Sequence, residues 1–190
     1  MEIILASESI KRREILQAAK IPFRVEIPWG VDEHTFDSLP VRERVQKLAE
    51  VKAIKAAEKF PEALIISADT MNEVKLSYPL YKPRDAEEGL LMAMEYSGNR
   101  LICYTGVCLI HPQFGSVTEL SETRIKMQSF TREELRSLVD DRFLIQGGAM
   151  GISEEAEGYT LVESISGSYT GAFGLPMEII RRYLKKWQVI

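Results

Sequence analysis

The chain has 190 residues, 45% of them apolar and 27% charged, with a formal charge of −4 and a pI near 5.4. That length supports one good core, and the acidic balance argues against a broad nucleic-acid footprint while leaving room for a local basic site that takes a small anion. No apolar run approaches a membrane span. The opening apolar residues end at Ala6 with cations after them, the reverse of a secretory leader, so a cytoplasmic protein without a membrane partner is expected.

In chain order, Glu2 to Leu5 reads as a buried strand, Ser7 and Ser9 as its exit loop, and Ile10, Ile15, Leu16 and Ala19 as the inward face of a helix. That helix starts with Lys11, Arg12 and Arg13, at the end of the macrodipole that disfavours cations. Two readings stand: an anionic ligand offsets them, or they bend outward to Glu8 and Glu14. Phe23 to Ile27 predicts a second strand, turned by Pro28, Trp29 and Gly30 into the acidic loop Val31-Asp32-Glu33-His34, where His34 reads as an exposed loop residue.

A long helix is expected from Pro40 to Lys59, with Val41, Val45, Leu48 and Val51 as its buried stripe and Lys52 at the edge of that stripe, its stem snorkelling. The apolar run Ala63 to Ser67 suits a central strand that delivers Ala68-Asp69-Thr70. A carboxylate at the carboxyl end of such a strand lies where open α/β sheets bind ligands, although a turn cap would also account for it. Lys82 follows in a loop, and a helix from Arg84 to Tyr96 stops at Ser97-Gly98.

From about residue 98 the pattern becomes richer in strands. Arg100 to Ile110 and Val117 to Gln128 predict a hairpin, Thr131 to Val139 a helix with Thr131 and Glu134 as a capping box, and Gly147 to Ile152 a glycine-rich loop. A strand over Tyr159 to Ile165 precedes a last helix after Pro176, with Ile179, Ile180, Tyr183 and Leu184 inward and Arg181, Arg182, Lys185 and Lys186 in water. Cys103 and Cys108 are five apart in one strand, so their side chains face opposite ways and stay reduced, without metal-type spacing. The fold class expected is therefore α/β: a mixed, mostly parallel sheet with flanking helices and a second β-rich lobe forming a cleft, in one domain over 1–190 with the lobe boundary near 98.

Several stretches, in order, resemble the Maf family of nucleoside triphosphate pyrophosphatases. They are LASESIKRREIL from Leu5, VDE at Val31 to Glu33, RVQKLAEVKA ending at Ala53, ADT at Ala68 to Thr70, KPRDAEEG from Lys82, SGNRLICYTGV, GGAMGIS and GSYTGAFGLP. The resemblance implies a cytoplasmic homodimer of Maf and ITPase-like fold. It implies an enzyme that hydrolyses nucleoside triphosphates, including non-standard ones, to monophosphate and pyrophosphate with magnesium or manganese. Carried over by position, the catalytic residues are Asp69, the proton acceptor that activates water, and Glu33, which helps hold the metal or the water, and the two carboxylates together suit the metal. Ser7, Arg12, Lys52 and Lys82 bind the triphosphate, and Lys11, Thr70 and Ser153 lie where the family discriminates the base. The chemistry is coherent, because fixed cations stabilise the charge that develops on a leaving pyrophosphate and hard divalent ions prefer oxygen ligands.

The chain also departs from the family. Ile10 replaces its proline, Lys11 the first arginine of its pair, and Tyr81 the glycine before the loop lysine. Ser153 stands where the dTTP- and UTP-preferring branch has glutamine, and Gln146 and Met150 where that branch has an acidic residue and an aromatic. A hydroxyl cannot replace the paired donor and acceptor of an amide, so an altered or broadened base preference is expected. The alternative from another class is a catalytically weak nucleotide-binding or regulatory protein that keeps the fold.

Overall fold

The computed structural model describes residues 1–74, 83–138, 141, 144 and 161–190. Lys82, Gln146, Met150 and Ser153, with the loop Gly147 to Ile152, lie outside the described residues. The described elements are β1 Ile3–Ala6, α1 Ile10–Ala18, β2 Arg24–Glu26, a 3-10 turn Glu33–Phe36 and α2 Val41–Lys59. After them come β3 Leu64–Val74, α3 Ala86–Met94, β4 Arg100–His111, β5 Gly115–Met127, α4 Arg132–Leu138 and β6 Val162–Ser166. The short α5 Tyr169–Ala172 and the final α6 Met177–Lys186 complete them.

Among the described residues these strands form one sheet of order β2-β1-β3-β4-β5-β6, an α/β fold with a mixed sheet. Strand β1 runs parallel to both β2 and β3, while β5 and β6 are antiparallel. The connection from His111 to Gly115 is so short that β4 and β5 can pair only as a hairpin. By its internal contacts the chain divides into one unit of Met1–Thr70, Tyr104–Glu122 and Ser168–Ile190 and another of Met71–Cys103 and Thr123–Gly167.

In the first unit, strand alternation sorts the core into two layers. Ile3 and Leu5 of β1, Leu64, Ile66 and Ala68 of β3, and Val107 and Leu109 of β4 pack with Leu16 of α1 and Ile179, Ile180 and Leu184 of α6. The opposite face, with Ile4, Ala6, Ile65 and Cys108, packs on Ala49, Ala53 and Ala56 of α2. Small residues on α2 permit close approach, and Gly106 of β4 takes it further: a Cβ there would lie 2.3 Å from the carbonyl oxygen of Val45. Glycine inside a strand marks such contacts.

Two expectations for helix faces need correction. Ile10 is 57% exposed, because it precedes Ile15 by five residues and so points about 140° away around the helix. On α2 the buried residues are Val45, Leu48, Ala49, Ala53 and Ala56, while Val41 and Val51 are only partly buried. The stripe therefore passes through position 52, and Lys52 lies on it rather than at its edge.

In the second unit, α3 is capped by Asp85, whose carboxylate accepts from Glu88 N at 2.8 Å. The capping box at α4 forms as expected, with Glu134 accepting from Thr131 N at 2.6 Å and Thr131 Oγ1 from Glu134 N at 3.2 Å. Arg132 and Arg136 of α4 both pair with Glu87 of α3. Cys103 of this unit and Cys108 of the first are both buried and form no disulfide, and burial pushes the Cys108 thiol above its ordinary range. No helix among the described residues is long and apolar enough to cross a membrane.

The Gly106 contact is backbone against backbone, so neither side can yield by a rotamer change. Gly106→Ala is expected to destabilise the fold by about 1 to 3 kcal/mol, the usual cost of overpacking. Chemical denaturation checks this; an unchanged midpoint would show that α2 can lift without penalty.

Candidate active site

The site begins with the position of Asp69. Register pairs Leu5 with Ile66, and β1 ends one residue later at Ala6, so Asp69 lies beyond the carboxyl end of the parallel strands although β3 itself continues to Val74. The strand thus outruns the Ser67 limit read from apolar content, because it continues through the polar residues Asp69, Thr70 and Asn72. Asp69 is within the strand and not a turn cap. Odd-numbered residues of this stretch face α2, and Lys52 meets Asp69 there.

The Lys52 ammonium lies 2.6 Å from Asp69 Oδ1 and 2.7 Å from Glu33 Oε1. Its side chain is 14% exposed, so the amine does not snorkel to water but is held between two carboxylates. Glu33 is delivered by the 3-10 turn, where Asp32 accepts from His34 N at 3.0 Å. Arg44 of α2 pairs with Asp37 at the end of that turn, which ties the turn to the helix that carries Lys52. His34 is exposed beside Asp37 and takes no part in the cluster.

Asp69 Oδ2 is buried and has no hydrogen-bond partner among the described residues. Burial raises the Asp69 pKa above the ordinary 3.8; the Lys52 ammonium and Arg12 guanidinium pull it back and the Glu33 charge pushes it further up. The balance leaves the charged form disfavoured. An orphaned carboxylate oxygen of this kind suits a hard cation, which prefers oxygen ligands. No group of three or more histidine, cysteine or acidic side chains able to hold a metal occurs among the described residues.

The neighbouring residue, Thr70, faces the other way, toward α1. Here Arg12 is turned inward, with Nε donating to Gly174 O at 2.8 Å, Nη1 to Ser7 Oγ at 3.1 Å and Nη2 to Thr70 Oγ1 at 3.2 Å. These three partners are neutral oxygens, and the bonds to them aim the guanidinium. Ser7 also accepts from Ser9 N at 3.2 Å, which fills both lone pairs and leaves its hydroxyl proton as a donor for a ligand.

The cations at the start of α1 therefore split between the two readings. Lys11 pairs with Glu14 at 2.8 Å and Arg13 donates to Glu8 O at 3.0 Å, while Arg12 joins Ser7 and Thr70. The structure brings together Ser7, Arg12 and Thr70 on one face, and Glu33, Lys52 and Asp69 on the other; it does not draw Lys11 into either group. Sequence reasoning missed Thr105, which hydrogen-bonds Thr70 at 3.0 Å and donates to Gly171 O at 2.8 Å. A threonine in a strand is ordinary, and the signal available was Gly106 beside it.

Because ionised Asp69 costs the fold energy, the sign of its pH effect follows. The cost is absent below 3.8, grows as pH rises through the raised pKa, and is complete above it. In chelator at neutral pH, Asp69→Asn is therefore expected to melt no lower than the parent chain, with its relative stability rising from acid toward neutral pH. Thermal melts across that range check this, and a large loss of Tm at neutral pH would contradict it.

The family described as Maf-like protein matches residues 2–187. A dTTP/UTP pyrophosphatase of Carboxydothermus hydrogenoformans is 35% identical over 189 residues, covering 98% of this chain and 99% of the relative. One from Acetivibrio thermocellus is 32% identical, covering 100% and 96%, and one from Pyrococcus horikoshii is 37% identical, covering 95% and 94%. Among solved structures, the Staphylococcus aureus Ham1 protein aligns over 67% of this chain and 72% of its own at 16% identity and a TM-score of 0.47, a likeness too distant to bear on the site. By the family match and by relatives of this identity and coverage, the chain belongs to the Maf family.

Proposed function

We propose that this chain is a nucleoside triphosphate pyrophosphatase that cleaves between the α and β phosphates, releasing monophosphate and pyrophosphate. The observation that carries this reading is the Lys52 ammonium fixed between Glu33 and Asp69 at 2.7 and 2.6 Å. The relatives' names support it, and they speak against a binding-only role.

Asp69 is the proton acceptor. Burial lifts its pKa above the ordinary carboxylate value, in the direction of working pH, where a general base is most effective. Ser7 directs its hydroxyl proton, and Arg12 and Lys52 their charge, toward the phosphate chain, so that charge on the departing pyrophosphate is met by groups already oriented. Asp69 Oδ2, with Glu33, suits a divalent cation, magnesium or manganese. When bound, that ion would neutralise phosphate oxygens. Lys82 as a further phosphate contact, Lys11, Thr70 and Ser153 as base-discriminating positions, a homodimer and a cytoplasmic location belong to the same reading.

With magnesium or manganese, a nucleoside triphosphate should yield monophosphate and pyrophosphate, and chelator should abolish the release. Asp69→Asn should lower turnover at least about 100-fold while the protein stays folded. Orthophosphate as the product would point to another phosphohydrolase. A full nucleotide panel is expected to show a preference altered or broadened from that of the dTTP- and UTP-hydrolysing relatives, because Ser153 offers one hydroxyl where an amide offers two groups; dTTP and UTP as the best substrates would overturn that expectation.

A further inference from the structure

Thr105 is fully buried, at 0% exposure, so no ligand can touch it. It faces the same side of the sheet as Val107 and Leu109, toward α1 and α6. Its Oγ1 is 2.8 Å from Gly171 O and 3.0 Å from Thr70 Oγ1. Counting protons fixes every direction in this chain. A carbonyl can only accept, and a threonine hydroxyl has one proton, so Thr105 gives its proton to Gly171 O and must accept that of Thr70. Arg12 Nη2, 3.2 Å from Thr70 Oγ1, can only donate. The Thr70 hydroxyl has thus spent its proton inward and one lone pair on Arg12, and what it has left for a ligand is the other lone pair.

The acceptor that anchors this order cannot turn away. Gly171 N donates to Ser168 Oγ at 2.8 Å and Gly171 O accepts from Gly174 N at 2.9 Å, so the residue is held at both its amide and its carbonyl, and a Cβ there would lie only 2.7 Å from Ser121 Oγ and Ser168 Oγ. Ser7, the other hydroxyl bonded to Arg12, is wired in the opposite sense, with both lone pairs filled and its proton to offer. Ser7 therefore suits a phosphate oxygen, and Thr70 does not.

We propose that Thr105 is a specificity-determining positioning residue: by fixing the polarity of Thr70, it makes that position recognise a hydrogen-bond donor of the nucleotide, a ring N–H of the base or a ribose hydroxyl. This rests on the pyrophosphatase reading for the identity of the ligand. Bases whose pairing-edge ring nitrogen carries a proton, such as uracil, thymine, guanine and hypoxanthine, satisfy Thr70. Cytosine and adenine present a lone pair there and would face it acceptor to acceptor.

The test is a set of ratios. The kcat/KM of the whole protein is measured for UTP against CTP, for ITP against ATP, and for UTP against its 2′- and 3′-deoxy forms, which separates base donors from sugar donors. The donor-bearing member of at least one pair should be favoured. Thr105→Val frees the Thr70 proton and should shrink that ratio by about fivefold, the worth of one neutral hydrogen bond, whereas Thr105→Ser, which keeps the hydroxyl, should leave it within about twofold. A purely structural role would lower both members of a pair together. Unchanged ratios in Thr105→Val, shrunken ratios in Thr105→Ser, or no donor preference in the parent chain would overturn the proposal. Should Thr105→Val not fold, Thr70→Val, which removes the acceptor itself, must abolish the same preference. If the parent chain releases no pyrophosphate, the pyrophosphatase reading fails by itself, and the same ratios are read as Kd values by calorimetry; absence of nucleotide binding would then sink this proposal too.

Discussion

The structure depends on one cation held largely out of water, its side chain 14% exposed. Lys52 sits on the inward stripe of α2 with its ammonium between Asp69 and Glu33, and each of the three groups makes the others tolerable. A carboxylate that has lost its water needs a partner, and it is loss of the Lys52 ammonium that would leave the acids uncompensated, a loss that typically costs about 3 to 5 kcal/mol. The arrangement also needs α2 to lie close against the sheet, which the alanines of its buried face and the missing side chain of Gly106 permit. Packing that looks like ordinary core formation is therefore what sets the distance between the helix cation and the strand acid.

The second constraint is the alternation of a β-strand. Asp69 and Thr70 are neighbours in sequence, yet they serve opposite faces of β3: one meets Lys52 and Glu33, the other Arg12 and, through Thr105, the tightly packed α5. Strand β1 ends at Ala6, so both faces become reachable just beyond it, which is where parallel α/β sheets place their ligands. The Asp69 pKa responds to Arg12 as well as to Lys52, so the two groups share an electrostatic field although no described hydrogen bond joins them.

The site is kept at some cost to stability. Burial disfavours the charged form of Asp69, and its Oδ2 is unsatisfied among the described residues. Buried polar atoms normally find partners, and an exception beside a largely buried lysine is the kind of strain that functional sites carry.

The sequence by itself determined much of this. Apolar content located β1 and the start of β3, spacing located α2 and α6, the Thr131 and Glu134 pair located α4, and the order of motifs indicated the family before any coordinate. It also singled out Asp69, Glu33, Lys52, Ser7, Arg12 and Thr70. It expected Lys52 to snorkel, and it left open whether the α1 cations pair locally and whether Asp69 caps a turn, because each answer depends on a group far away in the chain. It placed Ile10 and Val51 on buried faces because an apolar residue in a helix suggests burial even where the helical angle does not. Only the tertiary structure decided that one cation of three turns inward, that a helix lysine bridges two acids, and that a buried threonine on β4 sets the polarity of another on β3. Those outcomes arise from hydrogen-bond direction and desolvation across contacts of 17 to 162 residues' separation, and local periodicity contains no information about either.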